Sequence, residues 1–159
     1  PNPADSVVRL KAEVPFDNIL IFNTKGQIIR EWTVAPVNEI EVKVGDSIDI
    51  DGIRVLFFDV DHGPNVKIRP RENFGFLIEA DSKKIYFAGD MFNPSGIDVA
   101  NLEVDYALIP VGTFYTFGPS EAVNFVRKFE KIGEVIPMHY EKIPETKGEF
   151  ERLMKKNIS

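Results

Sequence analysis

Alternating and continuous apolar runs, separated by turn residues, dominate the chain from residue 39 to residue 111. Ile40, Val42 and Val44 alternate with charged residues, which is the pattern of a half-buried strand. The hairpin dipeptide Asp51-Gly52 precedes a long apolar stretch over residues 53–60. Further strands are predicted over residues 18–22, 28–34, 74–79, 84–88, 106–111 and 135–138.

Three segments carry helical patterns instead. Residues 119–132 have apolar positions at the spacing of one buried helix face, with Pro119 at the start and Gly133 just after the end. Residues 147–156 form a shorter predicted helix, and residues 3–13 another, with Pro3 in its first turn. Strands dominate and helices lie between or after them, which predicts sheet layers covered by helices in an α/β (α+β) fold.

Composition narrows the class of protein. The chain has 159 residues, which fits a single domain, and 43% of them are hydrophobic, so it is not intrinsically disordered. Because no run approaches eighteen apolar residues, we expect no membrane association. The net charge of −6 (19 − 25) argues against nucleic-acid binding. The absence of Cys excludes disulfides and thiolate metal ligands and is compatible with a cytoplasmic location.

Candidate metal ligands follow three of the predicted strands. His62 and His139, the only two histidines, and Asp90 each come just after an apolar strand. Strand ends are a usual place for ligands in layered α/β proteins. Imidazole and carboxylate together suit zinc, iron, manganese or nickel. Taken singly, however, a His after a strand is more often a loop or core residue than a ligand, and Gly-Asp is a common turn.

Several motifs of the chain resemble one protein family. Residues 74–79 and 85–90, which end in Ala88-Gly89-Asp90, resemble the hairpin before the Gly-Asp motif of metallo-β-lactamase-fold hydrolases. Residues 106–112 with Tyr115-Thr116, the Ser120-Glu121-Ala122 of the helix, and residues 135–140 are similar to the later part of one branch, which holds poorly characterised metal-dependent hydrolases. The resemblance runs in order from about residue 45 to residue 140.

The resemblance implies a fold, an activity and metal ligands. The fold would be the C-terminal portion of a four-layer αβ/βα sandwich. His62 would complete a first metal site, Asp90 would bridge two ions, and His139 would complete the second. The cofactor would be a divalent metal, most simply zinc, with two ions in the complete protein and Mn, Fe or Ni as alternatives. The family's other ligands lie in a His-x-His-x-Asp-His loop that this sequence lacks, so we expect residues 1–159 to be one domain that is incomplete at its N-terminus.

Other polar residues are candidates for substrate binding. Lys67, Arg69 and Arg71 alternate after His62 and would either clamp a substrate phosphate or carboxylate or form a solvated basic loop. By resemblance, Tyr115 and Thr116 reach the pocket, where Tyr115 would donate a hydrogen bond to the substrate or to a developing oxyanion. Packing of this Tyr at the sheet end is the alternative. Phe114 and Phe117 line an apolar pocket or belong to the core.

These observations favour a metal-dependent hydrolase that acts on an ester, amide, lactone or phosphoester of a small molecule, which would be anionic if the basic loop binds it. Two alternatives remain at this stage. One is a non-catalytic member of the fold with a binding role. The other is a mononuclear iron enzyme with two His and one carboxylate, although Asp90 lies far from both His in sequence. The substrate, the metal and the oligomeric state do not follow from these residues.

Overall fold

The structure, a computed structural model, describes residues 7–16, 19–23, 25–32, 37–50, 52–64 and 73–156. In these segments strands far outnumber helices, as the sequence predicts. The elements in chain order are β1 (Val7–Phe16), β2 (Ile19–Phe22), β3 (Ile28–Trp32), β4 (Val37–Lys43), β5 (Ser47–Ile50), β6 (Ile53–Asp59), β7 (Phe74–Ala80), β8 (Lys83–Phe87), β9 (Glu103–Pro110), α1 (Pro119–Val126), β10 (Lys131–Met138) and α2 (Glu145–Lys155).

Eight of the strands form one mixed sheet in the order β10-β9-β8-β7-β6-β5-β2-β3, and β1 pairs with β4 in a separate two-stranded sheet. β9 lies parallel to both β8 and β10. β6 is antiparallel to β7, which is antiparallel to β8, so β6 runs in the same direction as β8. The C-terminal ends of β6, β8, β9 and β10 therefore lie at the same edge of the sheet. The predicted α+β class is confirmed, and the layer arrangement of a four-layer sandwich stays a prediction.

The helix predicted over residues 3–13 is wrong, because Val7–Phe16 is the strand β1. β1 pairs antiparallel with β4 in a register that sets Val7 opposite Lys43 and Leu10 opposite Ile40. Apolar residues recur at every second position from Val8 to Phe16, a period that outweighs the Pro3 and Asp5 signals of a helix start. Residues 1–6 lie outside the described residues.

The helix predicted over residues 119–132 ends early, at Val126. The backbone N–H of Lys128 and that of Phe129 donate to carbonyls three residues back, which tightens the chain into a turn. β10 then begins at Lys131, opposite Glu103 of β9. Gly133 lies inside β10 rather than after a helix, and a Cβ there would collide with the carbonyl of Asp105. Pairing with β9 therefore outweighs the helical spacing of the apolar residues.

The core lies on both faces of β6. Phe57 joins a small cluster with Ile19, Ile21 and Ile48, whereas Phe58 belongs to a larger cluster. Neighbouring residues of a strand point to opposite faces, so the two faces of the sheet are covered by different apolar layers. In the larger cluster the ring of Phe58 stacks on Tyr86 at 5.4 Å between centroids. No helix among the described residues has the length and apolar character needed to cross a membrane.

The hydroxyl of Tyr86 lies in the larger core cluster, among the aromatic rings of Phe58 and Phe129. Tyr86 is fully buried, with the ring of Phe129 edge-on at 5.1 Å. Its oxygen has no hydrogen-bond partner within the described part of the chain, and burial raises the pKa of this phenol. A buried hydroxyl without a partner loses its hydration and gains nothing in return, which costs stability.

Replacing Tyr86 by Phe should therefore raise the free energy of unfolding by about 1 kcal/mol, because the ring stays and the uncompensated hydroxyl is removed. Urea denaturation at pH 7 measures the change, and Tyr106→Phe, at a partly exposed Tyr, serves as the control with little expected effect. A loss of stability in Tyr86→Phe would contradict this account of the hydroxyl.

Candidate metal centre

His62, Asp90 and His139 follow three strands whose C-terminal ends share one edge of the sheet. β6, β8 and β10 end at Asp59, Phe87 and Met138. The three candidate ligands lie within a few residues of those ends, so the topology alone delivers them to one region. The structure brings all three together, although they are far apart in the sequence.

Asp90 is the centre of the group, and its two oxygens face different imidazoles. His62 Nε2 lies 3.2 Å from Asp90 Oδ2, and His139 Nε2 lies 2.5 Å from Asp90 Oδ1. The side chain of His62 is 11% exposed, that of Asp90 37% and that of His139 44%. The group is therefore closed to solvent on the side of His62 and open to small molecules on the side of Asp90 and His139.

The donor set has the chemistry of a divalent metal site, but its spacing differs between the two histidines. Imidazole nitrogen and carboxylate oxygen are ordinary zinc ligands, and two ligands of a tetrahedral zinc ion lie about 3.4 Å apart. The 3.2 Å between His62 and Asp90 is close to that spacing, whereas the 2.5 Å between His139 and Asp90 is a direct contact of the two side chains. Within the described residues, no three His, Asp or Glu side chains are arranged to hold one ion.

Of the two nitrogens of the His62 imidazole, only Nε2 has a polar contact among the described residues. Its Nδ1 is buried and has no hydrogen-bond partner among the described residues. A ligating His normally donates its second N–H to a neighbour, which fixes the tautomer. The orientation of this ring therefore depends on its Nε2 contact with Asp90 and on its backbone.

Asp61 fixes the backbone of His62. Its carboxylate accepts hydrogen bonds from the Gly63 N–H at 2.7 Å and from Asn93 Nδ2 at 2.9 Å. The bond from Asn93, with a smaller contribution from that of Gly63, lowers the pKa of Asp61. Asp61 is an exposed loop acid, and its hydrogen bond with Asn93 joins the loop after β6 to the loop after β8.

Asn73 is a contributor that the sequence did not reveal. Its Nδ2 donates to the carbonyls of Val60 at 3.3 Å and Asp90 at 3.2 Å, and its Oδ1 accepts from the Asp90 N–H at 3.4 Å. Its own carbonyl accepts from the Val60 N–H at 3.0 Å. Asn73 thus ties together the ends of β6 and β8 that carry His62 and Asp90. A lone Asn before a strand carries no signal of this role in a single sequence.

Two special backbone conformations complete the positioning. Gly89 has a φ of +60°, and a Cβ there would collide with the carbonyl of Phe74. The Gly of the Gly-Asp pair is therefore required by close backbone approach. His139 has a φ of +61°, which is strained for a residue with a side chain. Such strain is typical of functional positions, where the surrounding structure holds it in place.

A cavity of about 510 Å³ opens beside the group. Tyr115 and Thr116 line it, as the sequence predicts, but the buried hydroxyl of Thr116 already donates to the carbonyl of Phe117. Phe117 is 1% exposed and belongs to the core, whereas Phe114 lines the cavity. The lining residues are His62, Asp90, Gly112, Thr113, Phe114, Tyr115, Thr116, His139, Glu141, Lys142 and Ile143.

Lys67, Arg69 and Arg71 lie outside the described residues. Their proposed contact with an anionic substrate stays a prediction.

Replacing Asn73 by Ala should lower the free energy of unfolding by about 1–3 kcal/mol, because the amide hydrogen bonds to Val60 and Asp90 are lost. The largest chemical-shift changes should lie at the amides of Val60 and Asp90. Urea denaturation and amide NMR spectra measure both, and the exposed Asn101 provides the control Asn101→Ala. Unchanged stability together with unchanged shifts at residues 60 and 90 would show that Asn73 does not hold these strand ends.

Comparison with known proteins places this geometry in a family. The Beta-lactamase superfamily domain matches residues 10–139. A metal-dependent hydrolase of Korarchaeum cryptofilum is 31% identical over 129 residues, which cover 80% of this chain and 56% of that protein. A metal-dependent hydrolase of Thermococcus onnurineus is 32% identical over 111 residues, which cover 67% of this chain and 49% of that protein. The chain thus spans about half the length of the curated relatives that it matches.

Solved structures agree at the level of the fold. A novel metallo hydrolase from Ignicoccus hospitalis superposes with a TM-score of 0.58 at 24% identity, over 74% of this chain and 53% of that chain. A Thermotoga maritima structure of the metallo-β-lactamase superfamily gives a TM-score of 0.50 at 22% identity, over 67% of this chain and 55% of that chain. Because the family match at residues 10–139 covers most of the chain, the chain belongs to the Beta-lactamase superfamily domain family.

Proposed function

We propose that this chain supplies His62, Asp90 and His139 to the metal centre of a metal-dependent hydrolase, with Asp90 shared between two divalent ions. The observation that carries the proposal is the division of the Asp90 carboxylate, since each oxygen faces the Nε2 of a different His. A carboxylate that bridges two ions needs this division. The names of the related proteins from Korarchaeum cryptofilum and Thermococcus onnurineus support the same activity.

The chemistry divides between the ions and the side chains. When bound, divalent metal ions act as Lewis acids that polarise the substrate and make water more acidic. As ligands, His62 and His139 would donate lone pairs without adding negative charge, so the centre would keep its positive charge. Zinc is the metal that this donor set suits best. Asp90 is the one anionic group in the set, and its mutual contacts with both imidazoles hold the three side chains ready.

The cavity beside the centre receives the substrate. Tyr115 is 55% exposed there, so its phenol is free to donate a hydrogen bond to a substrate oxygen on which negative charge develops. The volume of about 510 Å³ suits a small molecule. An ester, amide, lactone or phosphoester is the substrate class that this chemistry serves, and a cytoplasmic location is compatible with the absence of Cys.

Zinc titration of the EDTA-treated chain by calorimetry tests the proposal. The His62→Ala, Asp90→Ala and His139→Ala variants should each bind zinc at least about tenfold more weakly than the unchanged chain, because each loses a ligand. In hydrolysis assays with ester, lactone and phosphodiester substrates, EDTA should abolish turnover and zinc should restore it.

The matched control is Glu130→Ala, which removes an exposed acid at the opposite end of β10 from His139. Its zinc affinity should equal that of the unchanged chain. If the zinc affinity of all three ligand variants equalled that of the unchanged chain, the proposed centre would be ruled out. Specific zinc binding by the chain without turnover of any of these substrates would favour the non-catalytic alternative.

A further inference from the structure

Two aromatic side chains stand exposed at the mouth of the cavity. Phe114 is 71% exposed and Tyr115 is 55% exposed, the two highest values among the large hydrophobic residues described. Three residues further on, Phe117 is 1% exposed. Exposing an aromatic ring to water forgoes the stabilisation that burial would give. Phe114 and Tyr115 therefore remain in contact with water, although the nearby Phe117 is buried in the core.

The backbone under these rings is strained. Thr113 has a φ of +62° and Phe114 a φ of +51°, two consecutive left-handed residues that are not Gly. This conformation costs free energy for any residue with a Cβ. Strain and aromatic exposure thus coincide in the loop between β9 and α1, next to the candidate ligands.

The loop is fixed to the segments that carry two of those ligands. The Phe117 N–H donates to the carbonyl of Met91, next to Asp90, at 2.7 Å. The Val111 N–H donates at 2.9 Å to the carbonyl of Met138, next to His139. At Gly112, a Cβ would collide with the carbonyl of His139. The two rings are therefore held at a defined place relative to Asp90 and His139.

The rest of the cavity wall is apolar or balanced in charge. Ile143 is half-buried in the wall, and Glu141 and Lys142 contribute one charge of each sign. The described lining outside the metal centre therefore has no net charge that would select an ion. Its distinguishing chemistry is apolar surface beside a polar centre.

From this arrangement we propose that Phe114, Tyr115 and Ile143 form a binding subsite, the aromatic rim, for an uncharged acyl or aryl group of the substrate next to the bond that is hydrolysed. The inference rests on the proposed function for the identity of the bond, whereas the binding of the apolar group needs only the rim. A flat ring or an alkyl chain would cover the exposed faces of Phe114 and Tyr115 and recover their burial.

A homologous series of ethyl esters tests the aromatic rim. Ethyl butyrate, ethyl hexanoate and ethyl octanoate are titrated into the EDTA-treated chain, and NMR shifts give each Kd. We expect Kd to fall about twofold for each added methylene, less than the roughly fourfold of full burial, because the rim is open on one side. In the Phe114→Ser/Tyr115→Ser double variant the three Kd values should agree within about twofold.

Three variants complete the design. Tyr115→Phe should keep the dependence on chain length, because the ring stays and only the hydroxyl is lost. Ile28→Ser removes an equally exposed apolar residue at the far end of the sheet and should also keep it. Phe114→Ser alone should give an intermediate dependence, and it replaces the double variant should that fail to fold.

Equal Kd values across the series in the unchanged chain would overturn the rim, and so would an unaltered dependence in the serine variants. The zinc titration separates this result from the proposed function. Chain-length dependence in a protein that binds no zinc would leave the rim standing and the metal centre refuted. Zinc binding without chain-length dependence would support the metal centre and refute the aromatic rim.

Discussion

The common direction of β6, β8, β9 and β10 is the constraint on which the rest of the structure depends. Because these strands end at one edge of the sheet, the residues that follow them meet there even when long stretches of sequence separate them. His62, Asp90, Tyr115 and His139 all reach the site in this way. If any of these strands ran the other way, its residue would lie at the opposite edge.

At that edge, direct bonds between loops do the finer positioning. Asn73 ties the end of β6 to Asp90, and Asp61 ties the loop of His62 to the loop that follows β8. Gly89 permits the close backbone approach that places Asp90. These contacts position the Asp90 carboxylate and the loop of His62. A site arranged before its ligand arrives loses less entropy when it binds.

The sequence predicted the proximity of His62, Asp90 and His139 better than it predicted the borders of the helices. Strand ends are marked by apolar runs that stop at polar residues, so the positions of His62, Asp90 and His139 could be inferred without coordinates. The end of α1 could not be inferred, because it depends on pairing with a distant strand, and at β1 the helix-start signals of Pro3 and Asp5 were preferred to the apolar alternation that follows. Val7–Phe16 pairs with β4, and Lys131–Met138 pairs with β9, at the expense of local helical signals. Asn73 was missed for the same reason, since its partners are 13 and 17 residues away.

We infer that Asp90 couples energetically to both imidazoles and that they couple to each other only through it. Double-mutant cycles on the free energy of unfolding of the metal-free chain measure this directly, with His62→Ala, His139→Ala and Asp90→Ala in all combinations. We expect a coupling of about 0.5 kcal/mol or more between Asp90 and each His, and none between the two His once Asp90 is Ala. Additive effects of Asp90 with either His would show that the carboxylate does not link the two imidazoles.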